Sequence, residues 1–365
     1  MSHDARTRGT PDDHRPPAGV GRRRRRGRRR GLRIALAVLL VLLLAAGGTV
    51  YWLYSRLDGN ITGVDIDKAL GDDRPEKLPT SGQNLLVLGS DSRAGAENRE
   101  LGGGGAVAGA RSDTAMVVHV PEGRTGAVAV SIPRDTLVTR PGCTRADGSS
   151  VPPANRVMFN SVYAQVGPAC VVKTVEKMSG VRIDHYLEID FSGFKDLVDA
   201  IGGVTVDVPQ DIHDKASGLD LTKGPHRLDG AESLAYVRTR HGVGDGSDLG
   251  RIGLQQQFLL ALLSEVESQD LLGSPARSYR IAGSATRALT TDEGLASLSS
   301  LAAFGRSMRG VDPGTMETIM LPVAYDEQDP NRVVAAQPQA GALWKAVRED
   351  GTIPESAKRS PATGG

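Results

Sequence analysis

The sequence predicts an α/β fold, a mixed central sheet covered by helices on both faces, preceded by a single N-terminal transmembrane helix. Three observations predict it. From about residue 83 onward, short β-rich runs alternate with longer amphipathic segments. Turn-forming residues punctuate the runs, as in Gly89-Ser90-Asp91, Pro121-Glu122-Gly123 and Gly202-Gly203. Ahead of them, residues 34–54 carry no charge and follow a dense arginine block.

The first 31 residues are polar and rich in Arg, Gly and Pro, with arginine at 22–26 and 28–30. Such a segment cannot bury a core and is expected to be a disordered cytoplasmic tail. It reads as a topogenic signal rather than a nucleic-acid arm because an apolar stretch follows directly. That stretch is close to the ~20 residues that span hydrocarbon. Arg33 and Arg56 bracket it, and Tyr51, Trp52 and Tyr54 sit at its far end as interfacial aromatics. The positive-inside rule puts the N-terminus in the cytoplasm and the remainder outside, a single-pass protein of the cell membrane. A cleaved signal peptide is the rival reading, through Ala45-Ala46-Gly47, but the apolar run continues past that point.

Charge follows the same division. Residues 1–33 hold twelve Arg and three Asp, a net of +9; because the whole chain is +1, residues 34–365 carry −8. Arginines in that acidic remainder are not general nucleic-acid charge, and no nucleic-acid partner is expected. The two cysteines, Cys143 and Cys170, fall on the oxidising side of the membrane, where a disulfide between them is expected.

The elements follow in order. Residues 32–56 form the anchor and 57–82 a polar stalk. Residues 84–88 read as a buried strand, and 115–120 and 127–132 as two more, separated by the Pro121-Glu122-Gly123 turn. Gly102 to Gly105 lie in a segment whose spacing fits neither a Walker motif nor a dinucleotide fingerprint, so it reads as a flexible insertion. Helices are expected at 171–178, 194–201, 231–236 and 252–266, with one more within 289–308. Strands are expected at 186–191, 204–208 and 316–321. Beyond residue 325 the composition turns to Pro, Gln, Ala and Gly, and residues 326–365 are expected to be a flexible tail with one amphipathic piece at 342–347.

Short Arg/Asp clusters recur at the edges of these runs: Gly89-Ser90-Asp91-Ser92-Arg93, Arg111-Ser112-Asp113-Thr114, Pro133-Arg134-Asp135, Arg238-Thr239-Arg240-His241 and Asp248-Leu249-Gly250-Arg251. A planar guanidinium donates two parallel hydrogen bonds to phosphate oxygens. Carboxylates among the arginines would repel that anion unless a hard divalent cation sits between them. Asp91 leaves one strand and Asp113 enters the next, so the pair is a candidate Mg2+ site. Arg111, Arg134, Arg238, Arg240 and Arg251 are candidates for neutralising a diphosphate. Asp248 either fixes Arg251 by an ion pair or acts as a base towards an incoming hydroxyl. His241 reads equally as an acid–base group or as scaffold. Neither a Gly-x-Ser-x-Gly nucleophile turn nor a His-Glu-x-x-His or Cys-x-x-Cys metal signature occurs, which argues against a serine hydrolase or zinc peptidase.

The order of these motifs resembles the LytR–CpsA–Psr family. The likeness is carried by residues 84–93, by Arg111-Ser112-Asp113-Thr114 and by Val130-Ser131-Ile132-Pro133-Arg134-Asp135. It continues through Asp190-Phe191-Ser192-Gly193-Phe194, Val198-Asp199-Ala200-Ile201-Gly202-Gly203-Val204, Leu228-Asp229-Gly230 and residues 235–241, and ends with Asp248 and Arg251. The resemblance implies a catalytic domain over 83–325 and a Mg2+-dependent phosphotransferase, with Mn2+ as the other candidate ion. Such an enzyme moves a glycopolymer from a polyprenyl-pyrophosphate carrier onto peptidoglycan during cell-wall assembly. It implies metal-binding roles for Asp91 and Asp113, pyrophosphate-binding roles for Arg111, Arg134, Arg238, Arg240 and Arg251, and polar roles at the same head group for Asp248 and Gln255. Wall teichoic acid, arabinogalactan-like polymer, capsule and teichuronic-type chains share that handle. Two positions depart from the family pattern: Met158 stands where a lysine is common and Leu254 where an arginine is, so that one phosphate contact is either missing or supplied by Arg156. The competing readings are a hydrolase acting on the same lipid diphosphate and a non-enzymatic, membrane-tethered regulator.

Overall fold

The structure, a computed structural model, describes residues 21–72, 74–77, 80–90, 112–123, 126–239, 248–269 and 274–363; of residues 21–31, 112, 113 and 248 the backbone alone is described. The chain divides into two compact units, residues 1–55 and 56–365. Helix α1 (Gly21–Asp58) contains the stretch Leu32–Asp58, in which an 18-residue window of mean hydropathy 2.5 has no buried residue; it is long and apolar enough to cross a membrane.

The second unit is built on a seven-stranded mixed sheet. Its strands are β1 (Thr62–Val64), β2 (Gln83–Ser90), β3 (Ser112–Val120), β4 (Val128–Ser131), β5 (His185–Asp190), β6 (Leu289–Asp292) and β7 (Glu317–Met320), in the order β1-β6-β5-β2-β3-β4-β7. The β2–β3, β3–β4 and β5–β6 pairs are antiparallel; β2–β5, β4–β7 and β1–β6 are parallel. The helices are α2 (Phe159–Val166), α3 (Pro168–Ser179), α4 (Phe191–Ile201), α5 (Gly230–Arg238), α6 (Asp248–Ser268), α7 (Pro275–Ala288), α8 (Leu298–Ser307) and α9 (Gln339–Arg348).

Alternation along the strands sends side chains to two cores. Leu86, Leu88 and Val117 meet Phe159 and Val162 of α2, Val171 and Val175 of α3, and Leu343 and Trp344 of α9. On the other face, Val118, Val120 and Ala129 meet Leu259, Leu260 and Leu263 of α6. A third cluster joins α4, α5 and α6 through Val198, Ile201, Tyr236, Leu254 and Phe258. Each fully buried Leu or Val contributes about 1.5–3 kcal/mol relative to exposure. Helices on both faces of a mixed sheet are the architecture the sequence predicts.

Local chemistry explains why the chain turns where it does. Asp190 caps α4, its carboxylate accepting from the Gly193 N–H at 2.7 Å. A Cβ at Gly193 would lie 2.6 Å from the Ala288 Cα, so glycine is what allows α7 to approach α4. Asp229 caps α5 in a reciprocal box with Glu232, and the Gly230 N–H donates to Asp199 at 2.7 Å. A Cβ at Gly230 would lie 2.3 Å from the Lys195 carbonyl oxygen. These sequence motifs therefore fix how α4, α5 and α7 pack.

Several expectations are corrected. The segment read as a polar stalk supplies β1, and Ile66 and Leu70 on a following helical turn are buried. Arg74 beyond them is held by the buried Glu176 at 2.7 Å. The segment read as a flexible tail contains the strand Val333–Ala335 and α9, and buries Leu343, Trp344, Val347, Ile353 and Ala357. Its apolar residues are sparse but spaced to face one core, which overall composition conceals. Leu289-Thr290-Thr291-Asp292, with its two β-branched threonines, forms strand β6 because it pairs with β5 and β1, and the helix expected within 289–308 is α8. Helix α7 was not expected, because its Ser, Arg and Gly content masks its periodicity. Cys143 and Cys170 form the expected disulfide.

Candidate functional site

The sheet brings several predicted positions to one edge. Strand β2 ends at Ser90, which pairs with Ser112 at the start of β3 and with Asp190 at the end of β5. The register shifts between Gly89 and Ser90, which leaves Asp113 between the paired residues Ser112 and Thr114. Strand β4 ends at Ser131 opposite Met116, and the Ile132 N–H donates to the Ala115 carbonyl at 2.8 Å. Pro133-Arg134-Asp135 follows at the same edge, and the Asn160 N–H donates to the Arg134 carbonyl at 3.1 Å, tying α2 to that turn.

Helices α5 and α6 close over this edge. Arg238, the last residue of α5, lies over the Phe191 ring at 4.8 Å, where the ring quadrupole attracts the cation. Gln255 on α6 donates through Nε2 to the Val237 carbonyl at 3.0 Å, joining α6 to the last turn of α5. Gln256 donates to the Ser131 hydroxyl at 3.1 Å, joining α6 to the end of β4. Arg251, one turn earlier, is only 3% exposed. A buried guanidinium needs anionic or carbonyl partners, so its place is set by tertiary packing.

Behind the edge sits a buried polar cluster. The Glu188 carboxylate accepts from the Tyr163 hydroxyl at 2.7 Å and from the Tyr186 hydroxyl at 2.6 Å. Burial, reinforced by the Glu188 charge, pushes both tyrosines above the ordinary phenol range. They remain neutral donors, and the fully buried Ser90 lies beside Tyr163.

Of the predicted site residues, Arg134, Arg238, Arg251 and Gln255 belong to elements that meet around this edge. Asp91, Arg111 and Arg240 lie outside the described residues, as do His241, the glycine run and the side chains of Asp113 and Asp248. Among the described residues no group of three or more His, Cys, Asp or Glu side chains could hold a metal. Phe191, Gln256 and Glu188 were not singled out by sequence reasoning. Phe191 stands inside a recognised motif, but nothing in its spacing reveals the arginine above it. The two departures also become clear. Leu254 is a buried core residue against Tyr236 and Phe258, and Arg156 is held by Asp326 in a two-bond pair at 3.0 and 2.8 Å. The guanidinium of Arg156 is thus engaged by a carboxylate.

Comparison with known proteins points one way. The model of the LytR_cpsA_psr family matches residues 53–349. The chain is 35% identical over 274 residues to the probable cell wall biosynthesis protein LcpB of Corynebacterium glutamicum, covering 74% of this chain and 62% of that protein. It is 34% identical over 195 residues to the polyisoprenyl-teichoic acid–peptidoglycan teichoic acid transferase TagV of Bacillus subtilis, covering 51% and 47% of the two chains. It thus spans less than two thirds of the length of these relatives. A LytR-Csp2A-Psr enzyme from Actinomyces oris superposes with a TM-score of 0.57 at 25% identity, covering 80% of this chain and 95% of that one.

Proposed function

Because the chain belongs to the LytR_cpsA_psr family, we propose that it transfers a glycopolymer from a polyprenyl-pyrophosphate carrier to peptidoglycan through a phosphodiester bond. The observation that carries this reading is the sheet edge around which the elements bearing Arg134, Arg238, Arg251 and Gln255 converge. Four cation-bearing or polar groups drawn from three segments suit one anionic head group.

In this reading Arg111, Arg134, Arg238, Arg240 and Arg251 bind the diphosphate oxygens, and Gln255 keeps α5 and α6 in register around it. The acceptor hydroxyl oxygen bonds to the sugar-linked phosphorus. The bond from that phosphorus to the bridging oxygen breaks, and polyprenyl phosphate leaves with the electron pair. Asp248, three residues before Arg251, accepts the hydroxyl proton or holds Arg251 in place. Asp91 and Asp113 would hold Mg2+ or Mn2+. Asp91 directly follows Ser90 in the chain and Asp113 lies between Ser112 and Thr114, so two residues with hard oxygen donors adjoin one strand pair in sequence. Bound there, the ion would screen the charge of the diphosphate. The arginine-rich N-terminus faces the cytoplasm, and residues beyond the anchor lie outside, where lipid carriers present their head groups.

The test incubates the full chain in detergent with a polyprenyl-pyrophosphate glycan and Mg2+, with and without peptidoglycan. A sugar–phosphate–glycan product that appears only with peptidoglycan is the expected result. Phosphate release indifferent to acceptor, with no such product, would instead identify a hydrolase.

A further inference from the structure

A groove of about 390 Å3 is lined by Leu137, Arg156, Met158, Ser161, Asp329 and Arg332, among others. Arg332 of its lining is linked to Arg134 of the candidate site through Asp135. That carboxylate lies 3.6 Å from the Arg134 Nε and 3.4 Å from the Arg332 Nη1. One wall is α2 and the strand before it. The other comes from the C-terminal segment, whose Val333 N–H donates to the Asp135 carbonyl at 3.4 Å and which bridges Thr136.

The charge around the groove is already compensated. Arg156 spends two hydrogen bonds on Asp326. Arg332 is shared between Asp135 at 3.4 Å and Asp329 at 3.8 Å. An anion would have to displace a carboxylate already in contact, which costs the existing pair. A neutral polyhydroxyl ligand would not, because paired guanidinium and carboxylate groups keep donors and acceptors for hydroxyls. Met158 and Leu137 offer an apolar surface suited to the C–H face of a sugar ring.

We propose that this groove binds the neutral N-acetylglucosamine-type glycan of the acceptor and leads its hydroxyl towards Arg134. Its assignment to the acceptor rests on the transferase reading; glycan binding itself does not.

The test titrates the full chain in nanodiscs with chitotetraose, a neutral N-acetylglucosamine oligomer, and follows the Met158 methyl resonance, assigned with Met158→Leu. Chitotetraose should shift that resonance saturably. Ser161→Trp, which fills the groove, and Arg332→Ala should each weaken binding at least tenfold. Asp220→Ala, on the exposed hairpin of residues 212–221, should leave it unchanged. Inorganic phosphate should not compete. Absence of a saturable Met158 shift, undiminished binding by Arg332→Ala, or competition by phosphate would each overturn the proposal. Binding of a polyprenyl diphosphate is measured separately, so loss of the donor reading and loss of the groove are distinguishable.

Discussion

Gln256 on α6 donates to the Ser131 hydroxyl at 3.1 Å, tying the helix that carries Arg251 and Gln255 to the strand that leads into Arg134. Through this one bond the candidate phosphate-binding groups of two elements share a frame. Gln256→Ala removes it without touching the proposed substrate. The expected stability loss is about 0.5–1.5 kcal/mol. Transfer should fall about tenfold through kcat, with donor affinity little changed. Urea denaturation and steady-state kinetics together check this.

Arg238 is held over Phe191, so the ring and the guanidinium act as a unit. Phe191→Leu keeps the apolar volume and removes the quadrupole, worth about 0.5–2 kcal/mol. Arg238→Lys keeps the charge but loses the planar fork. Both variants should weaken pyrophosphate binding, Arg238→Lys by tenfold or more, with circular dichroism unchanged. Calorimetric titration with a lipid-free diphosphate sugar measures it, and unaltered affinity in Arg238→Lys would remove Arg238 from the site.

Arg74 and Glu176 form a buried pair at 2.7 Å, and the same arginine donates to the Ile183 carbonyl at 2.6 Å. Removing only the arginine strands a carboxylate in the core. Arg74→Ala should cost about 3–5 kcal/mol. Arg74→Met with Glu176→Leu should recover much of it, because neither buried charge is left unpaired. Chemical denaturation of the wild type and these two variants decides this, and a loss below about 1 kcal/mol in Arg74→Ala would show that the pair contributes nothing of note.

Asp292 illustrates acid sensitivity. Burial works to raise its carboxyl, but hydrogen bonds from His185 and the Tyr186 N–H outweigh this and hold it below the ordinary carboxylate value. Because the folded value is depressed, the contribution is fully present above the unfolded value near 3.9. It is lost as pH falls through the folded value below it. Stability should therefore decline below about pH 4, and Asp292→Asn should be less stable at pH 7 with a flatter acid limb. Denaturation midpoints from pH 3 to 7 measure both.

The main strands and most of the helices were legible in the sequence because their patterns are strong. Leu85 to Leu88 and Val117 to Val120 alternate or run apolar, and Gly202-Gly203 marks where a helix ends. Helix α7 and strand β6 were not, since Arg, Ser and Gly dilute the one and four residues are too few for the other. The C-terminal segment was misjudged for a related reason. Its composition is that of a tail, yet Trp344 and Leu343 complete the core.

The sequence by itself determined an anchor-like apolar stretch, a mixed sheet with helices on both faces, a cysteine pair, and arginines and aspartates waiting at the ends of strands. Those follow from periodicity and local chemistry, which neighbouring residues carry. Only the tertiary structure decided that Phe191 underlies Arg238 and that Glu188 receives two tyrosines. It alone showed that Arg156 is paired with Asp326, and that the expected tail walls a groove against Met158 and Ser161. Each of these joins residues far apart in the chain, whose meeting depends on sheet register and helix packing, and no local pattern records it.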